Sequence, residues 1–576
     1  MSDFSYVVIG GGVAGLYAAW RLTVDTNTVD PKQLTVLEGS ARTGGRLYTW
    51  PLENFGESGQ LPSDSGLRAE LGGMRFLNFH LYVGWLATHL NLPYVPFPAD
   101  SPSNWHYLRT QAVQATNWAQ QTVYKLAPQE QQQLTAANAG PGTLMDSVLT
   151  KGALRGVTFP DAGGNVTLRD MVNQILEISP LDIQGFWNLV VTNGQYAPTE
   201  LSNEGYELFT DAGAYDTVPA NWNATSAVID MAADFATDPV YYALQSGYET
   251  LPDALAAQLP PEMVQFNSSV ISVSKLGGGY LVTVSTPDGL QTITTDNVIF
   301  AVTPRVLQML ANVPLDNPLA PFADLLSQAQ PVPLFKIFLV YQVTPADSLY
   351  QALTAQSSVW PQYTRFTTDF PMRQIYNFGM YPPAGTSPTG EYYVLLQASY
   401  SDGLKAGYWA GLMTQEPNAN IDTDLFSDVS AISGTESLGT GNVAWRVGDG
   451  TSLNDHPLFS TVHQQFATLY GATVQGSLPD PIGGAAMDWA TLPYAGGVNF
   501  WNVGVKVRDA YPQICNLVNG NDGTGAIMVV GEGYSLLQGW VEGALWSVED
   551  AFHGAISGWQ PPTWLHSQPL ENPVQP

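Results

Sequence analysis

Three glycines near residue 10 have the spacing of a phosphate-binding turn. Gly10, Gly12 and Gly15 follow the apolar run 6–9 and precede apolar residues at helical spacing. Between a strand and a helix, such glycines permit a tight turn, a close approach of the backbone to a pyrophosphate and close helix packing. Glu38 ends the next apolar run, where a carboxylate accepts hydrogen bonds from a ribose. The sequence therefore predicts a dinucleotide site.

A second glycine-rich turn follows Glu38 directly. Residues 38–46 place Arg42, Arg46 and two adjacent glycines just after the acid. This run resembles the flavin-dependent amine oxidase superfamily, whose members carry an acid and an Arg-x-Gly-Gly-Arg stretch beside the FAD pyrophosphate and flavin. Motifs in the same order extend the resemblance along the chain, at residues 70–76, 246–255, 298–304, 336–339 and 531–543.

The resemblance implies FAD as the cofactor and indicates which residues contact it. Glu532 is expected beside the ribityl chain, and Val270 is expected to pair its main chain with adenine. The turn 538–543 is expected to bring amides and a helix N-terminus to the flavin ring, where positive potential stabilises the anion formed on reduction. The predicted cofactor-binding residues are Gly10, Gly12, Val13, Ala14, Gly15, Glu38, Gly39, Gly45, Arg46, Gly72, Gly73, Met74, Arg75, Val270, Glu532, Gln538, Gly539, Trp540 and Val541.

Arg75, in the run Gly-Gly-Met-Arg, distinguishes among members of the superfamily. L-amino acid oxidases share this form of the motif, and the resemblance implies that the arginine binds the substrate α-carboxylate over the flavin. A guanidinium donates two parallel hydrogen bonds to a carboxylate, which fixes the position and rotation of the α-carbon. The alternative is an internal ion pair with Glu70.

Three further residues are expected at the substrate side. Lys336 is a polar residue inside an apolar, β-like run, where an ammonium is costly without a partner or a task. By resemblance it is the catalytic lysine, which holds a water near flavin N5 and favours electron transfer to oxygen; the alternative is an outward-facing strand residue. Tyr376 is expected to bind the carboxylate and Trp540 to wall the substrate amine, with core packing as the alternative for both.

Periodicity indicates the elements that hold these residues. Residues 6–37 predict a β-turn-α-β unit, and 265–305 predict a β-meander. We expect an α/β plus α+β fold, in which a discontinuous Rossmann-like FAD-binding domain joins a mixed-sheet substrate domain and a helical subdomain. The predicted boundaries are 1–78 (FAD-binding, first part), 79–245 (largely helical substrate and entrance region), 246–310 (FAD-binding, second part, with the meander), 311–495 (β-rich substrate domain), 496–557 (FAD-binding, third part) and 558–576 (tail).

Composition narrows the class of protein. The 576 residues are 45% hydrophobic and 12% charged, enough apolar residues for more than one core. A formal charge of -30 repels nucleic acid and anionic lipid. The charge therefore predicts no nucleic-acid or membrane partner. A single cysteine excludes an intrachain disulfide, and the seven histidines lack metal-ligand spacing, so we also expect no metal. No signal peptide or spanning segment is visible; the expected location is the cytoplasm, with secretion by another route left open.

These expectations combine into one function. The predicted activity is FAD-dependent oxidative deamination of L-amino acids, in which a hydride passes from Cα to the flavin and a 2-oxo acid, ammonia and hydrogen peroxide are released. The partners are the L-amino acid and oxygen, and a homodimer is a family expectation. Three alternatives stay open: a primary-amine or polyamine oxidase, a flavin amino acid monooxygenase, and a non-catalytic flavin-bound interaction protein.

Overall fold

The computed structural model describes residues 2–570, apart from 57–58, 103, 137–139, 179–180, 193–200, 217–221, 234–235, 237, 314–315, 355–359, 418–441, 447–449, 492–495 and 521–522. Within these limits the strands are β1 (Phe4–Ile9), β2 (Leu34–Leu37), β3 (Thr49–Pro51), β4 (Arg68–Glu70), β5 (Phe76–Leu77), β6 (Tyr94–Pro96), β7 (Trp105–Leu108), β8 (Gln111–Gln114), β9 (Tyr241–Leu244), β10 (Val264–Gln265), β11 (Ser269–Leu276), β12 (Gly279–Thr286), β13 (Gly289–Phe300), β14 (Ala329–Val332), β15 (Leu334–Val343), β16 (Arg365–Thr368), β17 (Gln374–Tyr381), β18 (Tyr392–Asp402), β19 (Asn442–Trp445), β20 (Gly483–Asp488), β21 (Val498–Trp501), β22 (Asn516–Val518) and β23 (Ile527–Val529). The α-helices of the same part of the chain are α1 (Val13–Trp20), α2 (Leu81–His89), α3 (Pro128–Leu134), α4 (Pro141–Lys151), α5 (Leu168–Leu176), α6 (Asn203–Gly213), α7 (Ala224–Ala232), α8 (Thr250–Ala256), α9 (Pro304–Ala311), α10 (Ala323–Leu326), α11 (Ser348–Thr354), α12 (Gly403–Met413), α13 (Pro457–Thr473), α14 (Val507–Cys515) and α15 (Val541–Ala555).

The first sheet joins strands that are far apart in the sequence. Its order is β10-β2-β1-β13-β12-β11, and β23 also pairs with β13. Strands β10, β2, β1, β13 and β23 run parallel, whereas β11, β12 and β13 form the antiparallel meander predicted for residues 265–305. Val7, Val8 and Ile9 are all buried, because parallel strands are covered on both faces. The arrangement is Rossmann-like.

The second sheet carries the predicted catalytic lysine on its buried strand β15. Its order is β19-β20-β15-β18-β17-β16-β7-β8. Because side chains alternate along a strand, Phe335 and Ile337 pack into the core cluster that includes α12 and α13. Phe338 packs on the opposite face with residues 67–74. Lys336 shares that opposite face, so the alternation directs it toward the loop that ends at residue 75.

The region predicted as largely helical contains both helices and short strands. Helices α2–α7 lie there, but β7 and β8 extend the second sheet and β6 and β9 form a small sheet with β5. The β7–β8 hairpin turns at Arg109 and Thr110, whose φ values of 48° and 67° are those of a two-residue hairpin turn. That turn lacks the Asn or Gly that marks it in a sequence. Within the described chain, none of the helices is long and apolar enough to cross a membrane.

The segment after α15 packs against the first core, which differs from the predicted tail. Trp559, Trp564 and Leu570 are buried in the same cluster as β1 and α1. Trp559 Nε1 donates to Glu549 Oε2 at 2.8 Å, and the Arg21 guanidinium carbon lies 4.7 Å from the Trp559 ring centroid. The prolines and polar residues around these rings predicted a tail, but each buried ring removes a large apolar area from water.

Candidate active site

The turn after β1 brings backbone amides and an acid together at one edge of the first sheet. Gly10 has a φ of +110°, and a Cβ on Gly15 would lie 2.0 Å from the Gly10 carbonyl oxygen. A Cβ on Gly12 would meet nothing nearer than 3.9 Å, so the backbone there borders open space. Glu38 Oε2 accepts a hydrogen bond of 2.6 Å from the Gly11 amide. The turn therefore places the carboxylate beside an exposed stretch of backbone.

A cavity of about 320 Å³ runs from this turn to β15, within the usual size of small-molecule sites. Most of the predicted cofactor residues line it: Gly10, Gly12, Val13, Ala14, Glu38, Gly39, Gly45, Arg46, Gly72, Gly73, Val270, Glu532, Gly539, Trp540 and Val541. The others do not. Gly15 lies behind the turn, the Met74 side chain packs in a core cluster, and the Gln538 side chain bonds to the backbone. Arg75 lies beyond the cavity lining, among tyrosines.

Glu532 joins two segments of the cavity wall. Its carboxylate accepts hydrogen bonds from Arg46 Nη1 at 2.6 Å, from the Gly539 amide at 2.8 Å, and from the backbone and side-chain nitrogens of Asn499. Gly531 and Gly539 have φ values of +124° and +84°, and a Cβ on either would meet nothing within 4 Å. The buried carboxylate therefore holds these segments of the cavity lining together. The two glycines leave the backbone beside it accessible to a ligand.

Two helices begin at the cavity. α1 begins at Val13 and α15 at Val541, and neither preceding residue caps its helix with a side-chain hydrogen bond. The first amides of a helix lack partners inside the helix and carry positive potential. Both helix ends are therefore suited to anionic groups such as a pyrophosphate or a reduced flavin ring. Together with Glu38 and the open glycine backbone, they fit a dinucleotide such as FAD.

Lys336 lies at the end of the cavity opposite the glycine turn and is only 2% exposed. Its ammonium donates to the carbonyl oxygens of Glu70 at 3.1 Å and Gly72 at 2.5 Å, and lies 4.7 Å from the Tyr400 ring centroid. Burial lowers the pKa of Lys336, and the nearby Glu70 carboxylate opposes that shift. An ammonium has three N–H donors, so two of them hold the loop that leads to Arg75. The side chain faces the cavity, contrary to the outward-facing alternative.

Arg75 lies among aromatic side chains. Its Nη1 donates to Tyr376 Oη at 3.1 Å, and its Cζ lies 4.6 Å from the Tyr241 ring centroid and 5.5 Å from that of Phe97. Among the described residues Arg75 forms no ion pair within 4 Å; the Glu70 carboxylate instead accepts from a threonine hydroxyl and a backbone amide. A half-buried guanidinium that forms no ion pair within 4 Å among the described residues is suited to bind an anion.

Sequence reasoning missed most of the tyrosines around this guanidinium. Burial acts against the charge on Arg75, but Tyr376, Tyr215, Tyr241 and Tyr400 raise its pKa well above the ordinary value. The guanidinium is therefore charged. These side chains come from β17, β9, β18 and the segment after α6, and they share no motif. In the sequence these residues are tyrosines within or near apolar strands. Tyrosines that simply pack in a core show the same pattern, so the sequence does not distinguish the two.

Trp540 lies next to Tyr241 and extends the group of aromatic side chains around Arg75. The two rings are stacked with centroids 6.1 Å apart, and Trp540 Nε1 donates to Asp230 Oδ1 on α7 at 2.9 Å. His80, which the sequence left unassigned, lies edge-on with its centroid 4.8 Å from that of Trp540. Burial lowers the pKa of His80 to about 3, and its Nδ1 accepts from the Leu77 amide. His80 is therefore a neutral support for the indole at ordinary pH.

Outside this site, the described residues include one cysteine and no cluster of metal-ligating side chains. Cys515 is buried, and burial raises the pKa of its thiol well above the ordinary value, so the thiol stays protonated. In the part of the chain that the structure describes, no group of three His, Cys, Asp or Glu residues is arranged to hold a metal ion.

This fold and site are those of a flavoprotein oxidoreductase, and comparison with known proteins defines the family. The chain belongs to the flavin-containing amine oxidoreductases, whose family model matches residues 13–447. It is 23% identical over 590 residues to aplysianin-A of Aplysia kurodai, covering 97% of this chain and 92% of that protein. It is 22% identical over 378 residues to an L-amino-acid oxidase of Gloydius blomhoffii, covering 64% of each chain. An L-amino-acid oxidase of Protobothrops flavoviridis is 24% identical over 380 residues, 64% of this chain and 63% of its own.

Proposed function

We propose that the protein is an FAD-dependent L-amino acid oxidase, which converts an L-amino acid, oxygen and water into a 2-oxo acid, ammonia and hydrogen peroxide. One observation carries the proposal: the charged guanidinium of Arg75 lies without an ion-pair partner among the described residues, next to a cavity that fits FAD. A simple amine has no group for such a cation to bind, whereas an amino acid has a carboxylate. The L-amino-acid oxidases among the relatives favour the same substrate class.

The cofactor-binding unit in this proposal is assembled from residues 1–78, 246–310 and 496–557. Its support is the first sheet, to which all three segments contribute strands. The turn 10–15 and Glu38 would hold the adenosine and pyrophosphate half of FAD, and Glu532 with the start of α15 would hold the flavin half. The segments 79–245 and 311–495 would supply the substrate side.

Each side chain then has a separate task. When bound, FAD would supply the oxidising chemistry, by accepting a hydride from Cα and passing electrons on to oxygen. Arg75 binds the carboxylate and so orients Cα. Trp540 and Tyr241 wall the amine and exclude water. Lys336 in its protonated form places a positive charge at the cavity, which favours reduction of oxygen; because burial lowers its pKa to about 7, this contribution weakens as the pH rises above that value. The substrate amine acts in its neutral form, because its lone pair assists hydride departure once the ammonium proton has been lost.

The test follows the visible flavin band of the purified holoenzyme without oxygen. A pool of L-amino acids is compared with the pool of the corresponding decarboxylated amines. We expect bleaching by the amino acids alone, because only they carry the group that Arg75 binds. Bleaching by the amines alone would make the protein an amine oxidase, and bleaching by neither would indicate a flavoprotein without this turnover.

Product identification completes the test. In air, an oxidase yields one hydrogen peroxide and one ammonia for each 2-oxo acid, whereas a decarboxylating monooxygenase yields an amide one carbon shorter and no peroxide. Mass spectrometry of the organic product with a peroxide assay separates the two outcomes. An amide product would replace the proposed reaction while leaving the amino acid as the substrate.

A further inference from the structure

Gln374, the first residue of β17, connects the substrate arginine to a second arginine. The side chain is completely buried. Its Oε1 accepts hydrogen bonds from Tyr376 Oη and from Arg365 Nη1, both at 2.9 Å, and its Nε2 donates to the Ala214 carbonyl oxygen at 3.2 Å. Arg365 in turn forms an ion pair with Asp100. Gln374 thus contacts the tyrosine that in turn contacts Arg75.

The partners of Gln374 determine which way its amide faces. A guanidinium only donates hydrogen bonds and a backbone carbonyl only accepts them. The amide oxygen must therefore face Arg365, and the amide nitrogen must face Ala214. The same amide oxygen also contacts the Tyr376 hydroxyl. Because an amide oxygen can only accept hydrogen bonds, the Tyr376 hydroxyl must be the donor in that bond.

The direction of that bond fixes the role of the tyrosine. A hydroxyl has a single proton, and the proton of Tyr376 points at Gln374. The Tyr376 oxygen therefore presents lone pairs to its other neighbour, which is Arg75 Nη1 at 3.1 Å. A substrate carboxylate placed against the same oxygen would meet lone pairs rather than a proton. Tyr376 is arranged to orient the guanidinium and not to donate to the carboxylate.

We propose that Gln374 is a positioning residue: by holding the Tyr376 proton it makes Tyr376 an acceptor that aims Arg75 at the substrate carboxylate. The inference rests on the proposed function and replaces the expectation from the sequence that Tyr376 itself binds the carboxylate, because Tyr376 lies behind the guanidinium. It also gives the buried amide a task that packing alone would not require, since an apolar residue would fill the same space without needing three polar partners.

The test is a double-mutant cycle with benzoate as a carboxylate probe. The holoenzyme variants are Gln374→Met, Tyr376→Phe and the pair together, and the dissociation constant of benzoate is measured from the perturbation of the flavin band. Each single change should weaken benzoate binding about tenfold, the order expected for a misdirected charged hydrogen bond. Because Gln374 acts through Tyr376, the double variant should also be about tenfold weaker than the original protein, and not a hundredfold.

Two outcomes overturn the inference. Multiplying effects would mean that the two residues act independently. A Tyr376→Phe defect with no Gln374→Met defect would mean that Tyr376 donates to the carboxylate directly. Benzamide, which lacks the negative charge, should bind all variants within about twofold of each other, so a general distortion of the pocket is recognised by weaker binding of both ligands.

Two further variants keep the result interpretable. Gln374→Glu retains the oxygen that accepts from Tyr376, so it should bind benzoate within about threefold of the original protein even if Gln374→Met fails to retain flavin. A Glu variant as weak as Tyr376→Phe contradicts the inference. The control is Gln362→Met, because Gln362 is exposed and its amide, among the described residues, donates to the backbone carbonyl of Phe378 on β17. Reduction of the unmodified holoenzyme by L-amino acids tests the proposed function separately, since benzoate binding needs no turnover.

Discussion

The two ends of the cavity are built from different materials. At the β1 end, the wall is backbone: the glycine turn 10–15, the open glycines at 531 and 539, and two uncapped helix N-termini. At the other end, the wall is made of side chains: Lys336 and Tyr400 line it, and Arg75 lies just beyond the lining among further tyrosines. Backbone amides recognise what all dinucleotides share, whereas side chains select one substrate. Changes at the first end should therefore remove the cofactor, and changes at the second should alter rates and affinities of a loaded enzyme.

The largest expected effect is loss of flavin from a Gly12→Val variant. Gly12 has ordinary extended backbone, with a φ of -74°, and its missing side chain borders open space. A valine there keeps the backbone but occupies the volume that the cofactor needs. We expect bound flavin to fall below about a tenth of the original content, as measured by absorbance of the purified protein, with an unchanged far-ultraviolet circular dichroism spectrum.

Two other glycines check this interpretation. Gly142 also has nothing within 4 Å of its missing Cβ, but it lies on α4 away from the cavity, so Gly142→Val should retain flavin. Gly15→Val should damage the fold itself, because the new Cβ collides with the Gly10 carbonyl oxygen. Full flavin content in Gly12→Val would place the cofactor elsewhere.

At the side-chain end, the largest effect belongs to Arg75→Ala. The change removes a charge-assisted pair with the substrate carboxylate, worth on the order of 3 kcal/mol, or about a hundredfold in kcat/KM for an L-amino acid. Flavin content should stay the same, in contrast to the glycine variant. The control is Arg508→Ala, an exposed arginine that pairs with Glu177. Unchanged kcat/KM in the Arg75 variant would leave the carboxylate without a receptor.

The same contrast explains what the sequence could predict. The glycine turn is readable because its six residues are consecutive and each glycine has a local reason, such as the contact of Gly15 with the Gly10 carbonyl. The buried lysine was readable because alternation along β15 makes an ammonium conspicuous among apolar neighbours. Tyr241 and Tyr400 were not readable, because their approach to Arg75 depends on how β9 and β18 pack, which no local pattern records.

Larger elements were missed for similar reasons. The β7–β8 hairpin turns through Arg109 and Thr110, residues that rarely adopt positive φ, so no turn signal marks it. The segment after residue 558 has a tail-like composition, and only its burial against α1 and α15 reveals the role of Trp559. For the hairpin the deciding feature is an uncommon backbone conformation, and for the terminal segment it is packing against α1, hundreds of residues away in the sequence.

A smaller effect is expected from Lys336→Met, which tests whether the side-chain end also governs the reaction with oxygen. Removing the positive charge should slow flavin reoxidation about tenfold, while reduction by the amino acid changes less. The lost bonds to the carbonyls of Glu70 and Gly72 loosen the loop before Arg75, so the substrate dissociation constant should rise by a few fold. Stopped-flow half-reactions separate the two, with exposed Lys275→Met as control. Normal reoxidation would exclude the proposed oxygen role.

The smallest expected effect concerns Glu542, whose carboxylate joins α15 to the start of α2. This acid lies in the first turn of α15, is 1% exposed, and accepts hydrogen bonds from the first amides of α2, at Tyr82 and Val83, and from Trp546 Nε1. Burial raises its pKa from 4.5 to about 7, against the opposing hydrogen bonds. Between these pH values the folded protein keeps a proton that the unfolded chain has released, so stability falls as pH rises through that window.

Glu542→Gln should remove this slope, which amounts to about 1 kcal/mol per pH unit at its steepest. The variant also loses an acceptor for the α2 amides, but that loss is the same at every pH, so the difference in slope isolates the titration. Denaturant unfolding of the holoenzyme at several pH values between 4.5 and 7.5 measures it, with the exposed Glu262→Gln as control. Equal slopes in the original protein and the variant would mean that Glu542 is ionised throughout, held by the α2 amides strongly enough to offset its burial. The link between α15 and α2 would then be a fixed charge and not a proton-dependent one.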